Sequence, residues 1–261
     1  MEQRLDGLVV IVTGASQGLG RAIAQEMATG GAAVVLAARR GDLLEHVATD
    51  LRAGGASVLA VVTDVAVPDD LTALVGAASE RFGRVDAVVN NAAYEGEIAS
   101  FLDLDESELH RALDVNLFGV WRLARLVIPG MIERRYGRII NLMGPIPEQP
   151  APFHTVVGAS KGAVLGLTRA LAAEVAPFEI TVNALCAGSI RGTEMSDRML
   201  TGYAELAGVD LDAVEAMMLQ RSPQHRFQEL EEVAAVAAFL ASPAASSITA
   251  QSIHAVGGLF V

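Results

Sequence analysis

The sequence predicts a doubly wound α/β domain, with a mainly parallel seven-stranded sheet and helices on both faces. Three observations carry this. Short apolar runs alternate with amphipathic stretches along all 261 residues. The apolar runs lack period-two alternation, as strands covered on both faces do. A glycine-rich turn joins the first apolar run to the first amphipathic stretch. Repeated β-then-α order calls for parallel strands joined by right-handed crossovers, and it places ligands at the carboxyl ends of the strands.

Strands are expected at residues 8–12, 33–37, 58–62, 87–90, 138–142, 181–185 and 252–256. Helical spacing occupies 18–29, 43–54, 70–82, 107–134 and 158–176, and Asp105-Glu106 gives the fourth of these a capped start. Neither a Pro- or Ser-rich linker nor an internal repeat interrupts the alternation, so residues 1–261 are read as one domain. Residues 188–226 are the exception, a long connection without a strand. Such connections inside compact domains are usually functional, and this one is expected to form a lid over a site.

Composition narrows the class of function. With 52% apolar and 19% charged residues, the chain has the makings of a large core. A net charge of −12 argues against a nucleic-acid partner, which would need clustered basic residues. No run of about 18 uncharged apolar residues is present, so no membrane partner is expected. Residues 1–7 lack the basic and apolar regions of a signal peptide. Cys186 is the only cysteine and allows no disulfide framework. A cytoplasmic protein with a small-molecule ligand and no metal site is the expectation.

The turn Thr13-Gly14-Ala15-Ser16-Gln17-Gly18-Leu19-Gly20 follows the first strand and opens the first helix. Gly14 permits the tight turn, Gly18 lets backbone approach a pyrophosphate, and Gly20 allows close helix–strand packing. The helix N-terminus then offers unpaired N–H groups to phosphate. The second strand ends Ala37-Ala38-Arg39-Arg40. Ala38 stands where a carboxylate would accept the ribose 2′-OH bonds of NAD(H), and Arg39 suits a 2′-phosphate, so NADP(H) is favoured over NAD(H).

Further residues extend the pattern: Asp64-Val65, Asn90-Asn91-Ala92-Ala93, Asn116 in Asp114-Val115-Asn116-Leu117, Lys161 in Ala159-Ser160-Lys161-Gly162, Asn183-Ala184, Ala187-Gly188-Ser189-Ile190 and Gln251-Ser252-Ile253-His254. Over nearly its whole length the chain resembles the short-chain dehydrogenase/reductase family, whose fold is a Rossmann domain. The resemblance implies that Asp64 and Val65 contact adenine and that Asn90 and Ala92 line the ribose. It also implies that Lys161 holds the nicotinamide ribose, and that Ile190 and Thr193, just beyond Gly188, touch the carboxamide. A homotetramer or homodimer is implied too, through the long helices and residues 257–261.

The family's working set is Asn, Ser, Tyr and Lys. Asn116 and Lys161 match it, and Lys161 is the only lysine in a chain whose other eighteen basic residues are arginine. Gly144 stands in place of the serine and Val157 in place of the tyrosine. Valine neither donates a proton nor bonds an oxyanion. Loss of a positioned acid commonly costs about 10²–10⁴ in rate, and loss of an oxyanion donor about 10²–10³. His154, one helical turn before Val157, and Tyr94, after the Asn-Asn-Ala-Ala turn, are the candidate replacements; Tyr203 and His225 rank lower. Gly144, His154 and Val157 would face substrate, with Met143, Pro145, Ile146, Met195 and Met199 as apolar lining.

Three functions fit these residues. One is an NADP(H)-dependent oxidoreductase with a rebuilt proton donor, or with a substrate such as an iminium that needs none. A second is a non-redox lyase, isomerase, dehydratase or cyclase using His154 or Tyr94. The third is a non-catalytic cofactor-binding subunit.

Overall fold

The computed structural model describes residues 5–259. Seven strands form one parallel sheet in the order β3-β2-β1-β4-β5-β6-β7. They are β1 (Val9–Thr13), β2 (Ala33–Ala38), β3 (Val58–Val62), β4 (Ala87–Asn90), β5 (Gly137–Met143), β6 (Ile180–Ala187) and β7 (Ser252–Ala255). The strand order reverses between β1 and β4, which opens a crevice at their carboxyl ends where ligands of such sheets sit.

The helices are α1 (Gly18–Thr29), α2 (Gly41–Ala53), α3 (Pro68–Phe82), α4 (Glu106–Leu113), α5 (Gly119–Arg134), α6 (Thr155–Val175), α7 (Glu194–Ala207), α8 (Leu211–Arg221) and α9 (Leu230–Ala241). Each central strand feeds two cores. Val10 and Val12 of β1 pack with Ile23 and Met27 of α1 and Val233 and Ala237 of α9. Val9 and Ile11 turn the other way, toward Leu71 and Leu74 of α3 and Leu123 and Val127 of α5. Successive strand side chains point to opposite faces, so an unbroken apolar run is what a doubly covered strand needs.

Three expectations are corrected. The edge strands β3 and β7 are only partly covered, and Val62 is 63% exposed, because an edge strand has a neighbour on one side alone. The helix expected over 107–134 is interrupted by a π turn, Asp114–Phe118, which lies between α4 and α5. The helix expected from 158 begins at Thr155, since Pro150 and Pro152 fall just before its start and do not delay it. By length and composition the helical stretches Glu106–Arg134 and Thr155–Phe178 would suffice to cross a membrane. Here Leu123, Val127 and Met131 of the first and Ala172 and Val175 of the second are buried in the sheet-facing core. Of the terminal segment 257–261, residues 260–261 lie outside the described residues, as do residues 1–4.

Candidate active site

The glycine turn is shaped by backbone. Gly14 and Gly18 hold positive φ of 67° and 51°, a region open to glycine at no steric cost. A Cβ on Gly20 would collide with the Gly14 carbonyl and stand 2.5 Å from Asn91 Nδ2. Gln17 is the N-cap of α1 and gives it no side-chain cap, so the helix N-terminus is left for an anion. Ser16 beside it is buried. Asn91 secures the next loop to this turn, donating from Nδ2 to the carbonyls of Thr13 (3.0 Å) and Gly14 (3.3 Å). The N–H groups of Asn91 and Ala92 both donate to Thr13 Oγ1 at 3.0 Å.

Asn90 departs from expectation. Its side chain is buried inside the sheet and donates to Asn141 Oδ1 at 2.8 Å, so only its backbone is left to line a ribose. Asp64 shapes its own turn, taking the Ala66 N–H at 3.0 Å while its N–H donates to Asp70. Val65 packs beneath Gly119, where a Cβ would stand 3.0 Å from the Val65 carbonyl. Arg39 is exposed and, among the described residues, makes no ion pair, so its fork is open to a phosphate at the end of β2. An uncapped helix N-terminus, a Cβ-free cradle and an unpaired guanidinium together fit a phosphorylated dinucleotide.

The segment 188–226 carries α7 and α8. Gly188 begins it where a Cβ would clash with the Gln228 side chain and Val256 Cα. Ile190 is buried in the main core and bridges to Gln228, so its side chain does not line the crevice. Thr193 caps α7 by accepting the Ser196 N–H at 3.0 Å, and its methyl lies 3.5 Å from where a Cβ on Gly18 would be. The next residue, Glu194, accepts from Gln17 Nε2 at 2.6 Å and lies 3.5 Å from the Arg40 guanidinium. These bonds hold its carboxyl below the usual carboxylate range. Farther along α7, Tyr203 stacks on His154 with ring centroids 5.0 Å apart.

At the substrate end, Lys161 is buried on α6 and donates from Nζ to the Leu142 carbonyl at 2.8 Å. Burial lowers its pKa to about 8, against the opposing pull of the Glu95 carboxyl. Val157 lies one turn earlier on the same helix, half-buried. A side chain at Gly144, just past β5, would meet open space. Asn116 sits in the π turn and is fully buried. It accepts the Tyr94 N–H and donates to the Tyr94 carbonyl (2.7 Å) and to Ser160 Oγ (2.9 Å). π turns are frequent at functional sites, and this one turns Asn116 into the interior.

Tyr94 is corrected as a proton donor. Its hydroxyl donates to Glu108 at 2.7 Å, and Arg111 lies 4.2 Å from its ring centre. Burial and the Glu108 bond raise its pKa, so the phenol is tied to α4 rather than offered to the crevice. His154 is the N-cap of α6 rather than a residue within the helix, and its carbonyl takes the Gly158 N–H. Its Nδ1 is 2.9 Å from the Pro152 carbonyl, which accepts only, so this contact places the proton on Nδ1. The Tyr203 hydroxyl of α7 lies 3.1 Å from Nδ1 and 3.3 Å from Nε2, and the residue is buried. Met143 is also corrected: it packs with Leu165, Ala184 and Cys186 in a small core, not in the crevice.

One residue escaped the sequence reading. Glu95 follows Tyr94, half-buried, with Lys161 and Arg198 of α7 as its charged neighbours, and its pKa is raised by burial to about 7. A carboxyl just past the Asn-Asn-Ala-Ala turn at a strand's carboxyl end was the available signal.

Comparison with known proteins agrees with this architecture. Residues 14–260 match a family model described as enoyl-(acyl carrier protein) reductase. A chain named as a ketoacyl reductase of the granaticin polyketide synthase, from Streptomyces violaceoruber, is 38% identical over 253 residues, 96% of this chain and 92% of the relative. A single-substitution variant of the actinorhodin polyketide ketoreductase, solved with NADPH, superposes with a TM-score of 0.92 at 34% identity, covering 97% of each chain. An NAD+-bound xylitol dehydrogenase superposes with a TM-score of 0.93 at 30% identity, covering 97% of this chain and 99% of the other. With its parallel sheet, glycine turn and buried Lys161, the chain belongs to the short-chain dehydrogenase/reductase family of oxidoreductases.

Proposed function

We propose that the chain is an NADP(H)-dependent reductase acting on a small, largely apolar carbonyl or iminium substrate through a site without the usual phenol and serine. The observation that carries this is the pairing of the glycine turn and the open Arg39 with a buried Lys161 one turn from a hydroxyl-free Val157. When bound, a reduced nicotinamide supplies hydride. The glycine turn and the α1 N-terminus would hold its pyrophosphate and Arg39 a 2′-phosphate. Lys161 would bond the ribose hydroxyls, and the Thr193 hydroxyl is free to donate to the carboxamide. The NADPH of the ketoreductase relative supports the choice of NADP(H).

Apolar surfaces around the crevice mouth support an apolar substrate. Ile146 packs on Gly158 of α6, and Ile98 packs on Gly202 of α7. The His154–Tyr203 contact favours a second reading, non-redox acid–base chemistry at the lid, if hydride transfer fails. Assembly as a homotetramer or homodimer is supported by an apolar groove of Leu117, Phe118, Trp121 and Leu167, where Phe118 and Trp121 are exposed. A cytoplasmic location, without nucleic-acid or membrane partners, rests on composition.

Fluorescence titration with NADPH and NADH tests the premise: saturable binding is expected, tighter for NADPH. Single-turnover oxidation of bound NADPH by a carbonyl, iminium and enone panel then separates reductase from non-redox enzyme. A chain that binds NADPH and oxidises it with none of the panel fails the reductase reading.

A further inference from the structure

The loop after β4 is held in place more firmly than a surface loop requires. Asn116 clamps both the N–H and the carbonyl of Tyr94. Gly96, two residues on, takes φ +78°, and a Cβ there would stand 2.5 Å from Val156 Cγ1. The loop therefore lies against the first turn of α6, next to Val157, with Glu95 between the two fixed points. Glu95 is half-buried, and among the described residues nothing hydrogen-bonds to its carboxyl. The charged groups facing it are Lys161 from α6 and Arg198 from α7. Half-buried and free of protein hydrogen bonds among the described residues, the carboxyl keeps its oxygens available to a ligand in the crevice.

We propose that Glu95 is the catalytic acid of this chain, reaching from the β4 loop into the space that the absent tyrosine leaves at Val157. The inference rests on the reductase reading above. As a substrate carbonyl carbon accepts hydride from a reduced nicotinamide, the C=O π pair moves to oxygen. That oxygen takes the proton from the Glu95 carboxylic acid. The carboxylate left behind faces the Lys161 and Arg198 charges and regains a proton from solvent, so atoms and charge balance. Burial supports the assignment by raising the Glu95 pKa to about 7, near the operating range of a general acid. The acid is protonated below about pH 7, so reduction would be fastest there and decline as pH rises through it.

The test uses the full chain, Glu95→Gln and Glu95→Asp. Carbon-13 NMR of labelled glutamate, with and without NADPH, should show one carboxyl titrating near pH 7 that vanishes in E95Q. A midpoint at ordinary glutamate values overturns the proposal without any turnover. In single turnover with ketones, E95Q should be slower by about 10²–10⁴ and lose the decline across pH 7. Its NADPH affinity should change little, and E95D should restore part of the rate. Wild-type rate and pH profile in E95Q overturn the inference and leave the reductase reading intact. Absence of NADPH binding in the wild type fails that reading instead, while the carbon-13 midpoint still judges Glu95.

Discussion

The glycine-turn half of the crevice and the half between β5 and α6 are built from different materials. The first is made of backbone: positive φ at Gly14 and Gly18, a Gly20 position that admits no Cβ, and main-chain N–H groups tied to Thr13. The second depends on which side chains project, and here Gly144 and Val157 stand where the resemblance leads one to expect hydroxyls. Backbone recognition demands a few residue types at fixed spacing. Side-chain chemistry can be supplied from any neighbouring element, so it can be lost and rebuilt without disturbing the fold.

The largest expected effect comes from attacking the backbone half. Gly20→Val would drive a side chain into the Gly14 carbonyl and Asn91. Overpacking commonly costs about 1–3 kcal/mol, and a rigid backbone neighbour sets this case at the upper end. Thermal unfolding should show the loss, with NADPH affinity down by at least about 100-fold; an unchanged melting temperature breaks the distinction between the halves.

Restoring the side-chain half is the next largest. A side chain at Gly144 meets open space, so Gly144→Ser with Val157→Tyr should fold and gain about 10²–10³ in ketone reduction by single turnover. A double variant no faster than wild type shows that more than two hydroxyls separates this pocket from a ketone reductase.

Lys161→Met separates function from stability. The native pKa of Lys161, lowered to about 8, lies below its ordinary 10.5, so folding opposes its charged form. That penalty is full below pH 8 and fades as pH rises to 10.5. The variant should weaken NADPH binding yet raise the melting temperature at pH 7, with on the order of 1–3 kcal/mol gained, and less near pH 10. A lower melting temperature at pH 7 means that the Leu142 hydrogen bond outweighs the buried charge.

The smallest effect belongs to the contact of α7 with the glycine-turn half. Glu194→Gln loosens the exposed contacts from α7 to Gln17 and Arg40. Exposed pairs are weak and screened by salt, so NADPH release followed by stopped flow should speed up about 2- to 5-fold, less at high salt.

What the residues disclosed follows the same division. The alternation of strands with helices, the glycine turn and the start and end of α1 at Gly18–Thr29 are legible, because each rests on local pattern. The π turn is not, since Asn116 is rotated inward by its bonds to Tyr94 and Ser160, residues 22 and 44 positions away. Tyr94 reads in the sequence as a pocket phenol, but Glu108 and Arg111, on the next helix, claim it. Glu95 carries little local signal, because its charged neighbours come from α6 and α7, more than sixty residues downstream.

The chain's single lysine has an experimental consequence. Protein grown on lysine labelled with nitrogen-15 at the side chain would carry one such label, and it sits in the crevice. Its resonance needs no assignment and no engineered tag. It would report directly on the charge of that amine as pH, nucleotide or the residue at 95 is changed.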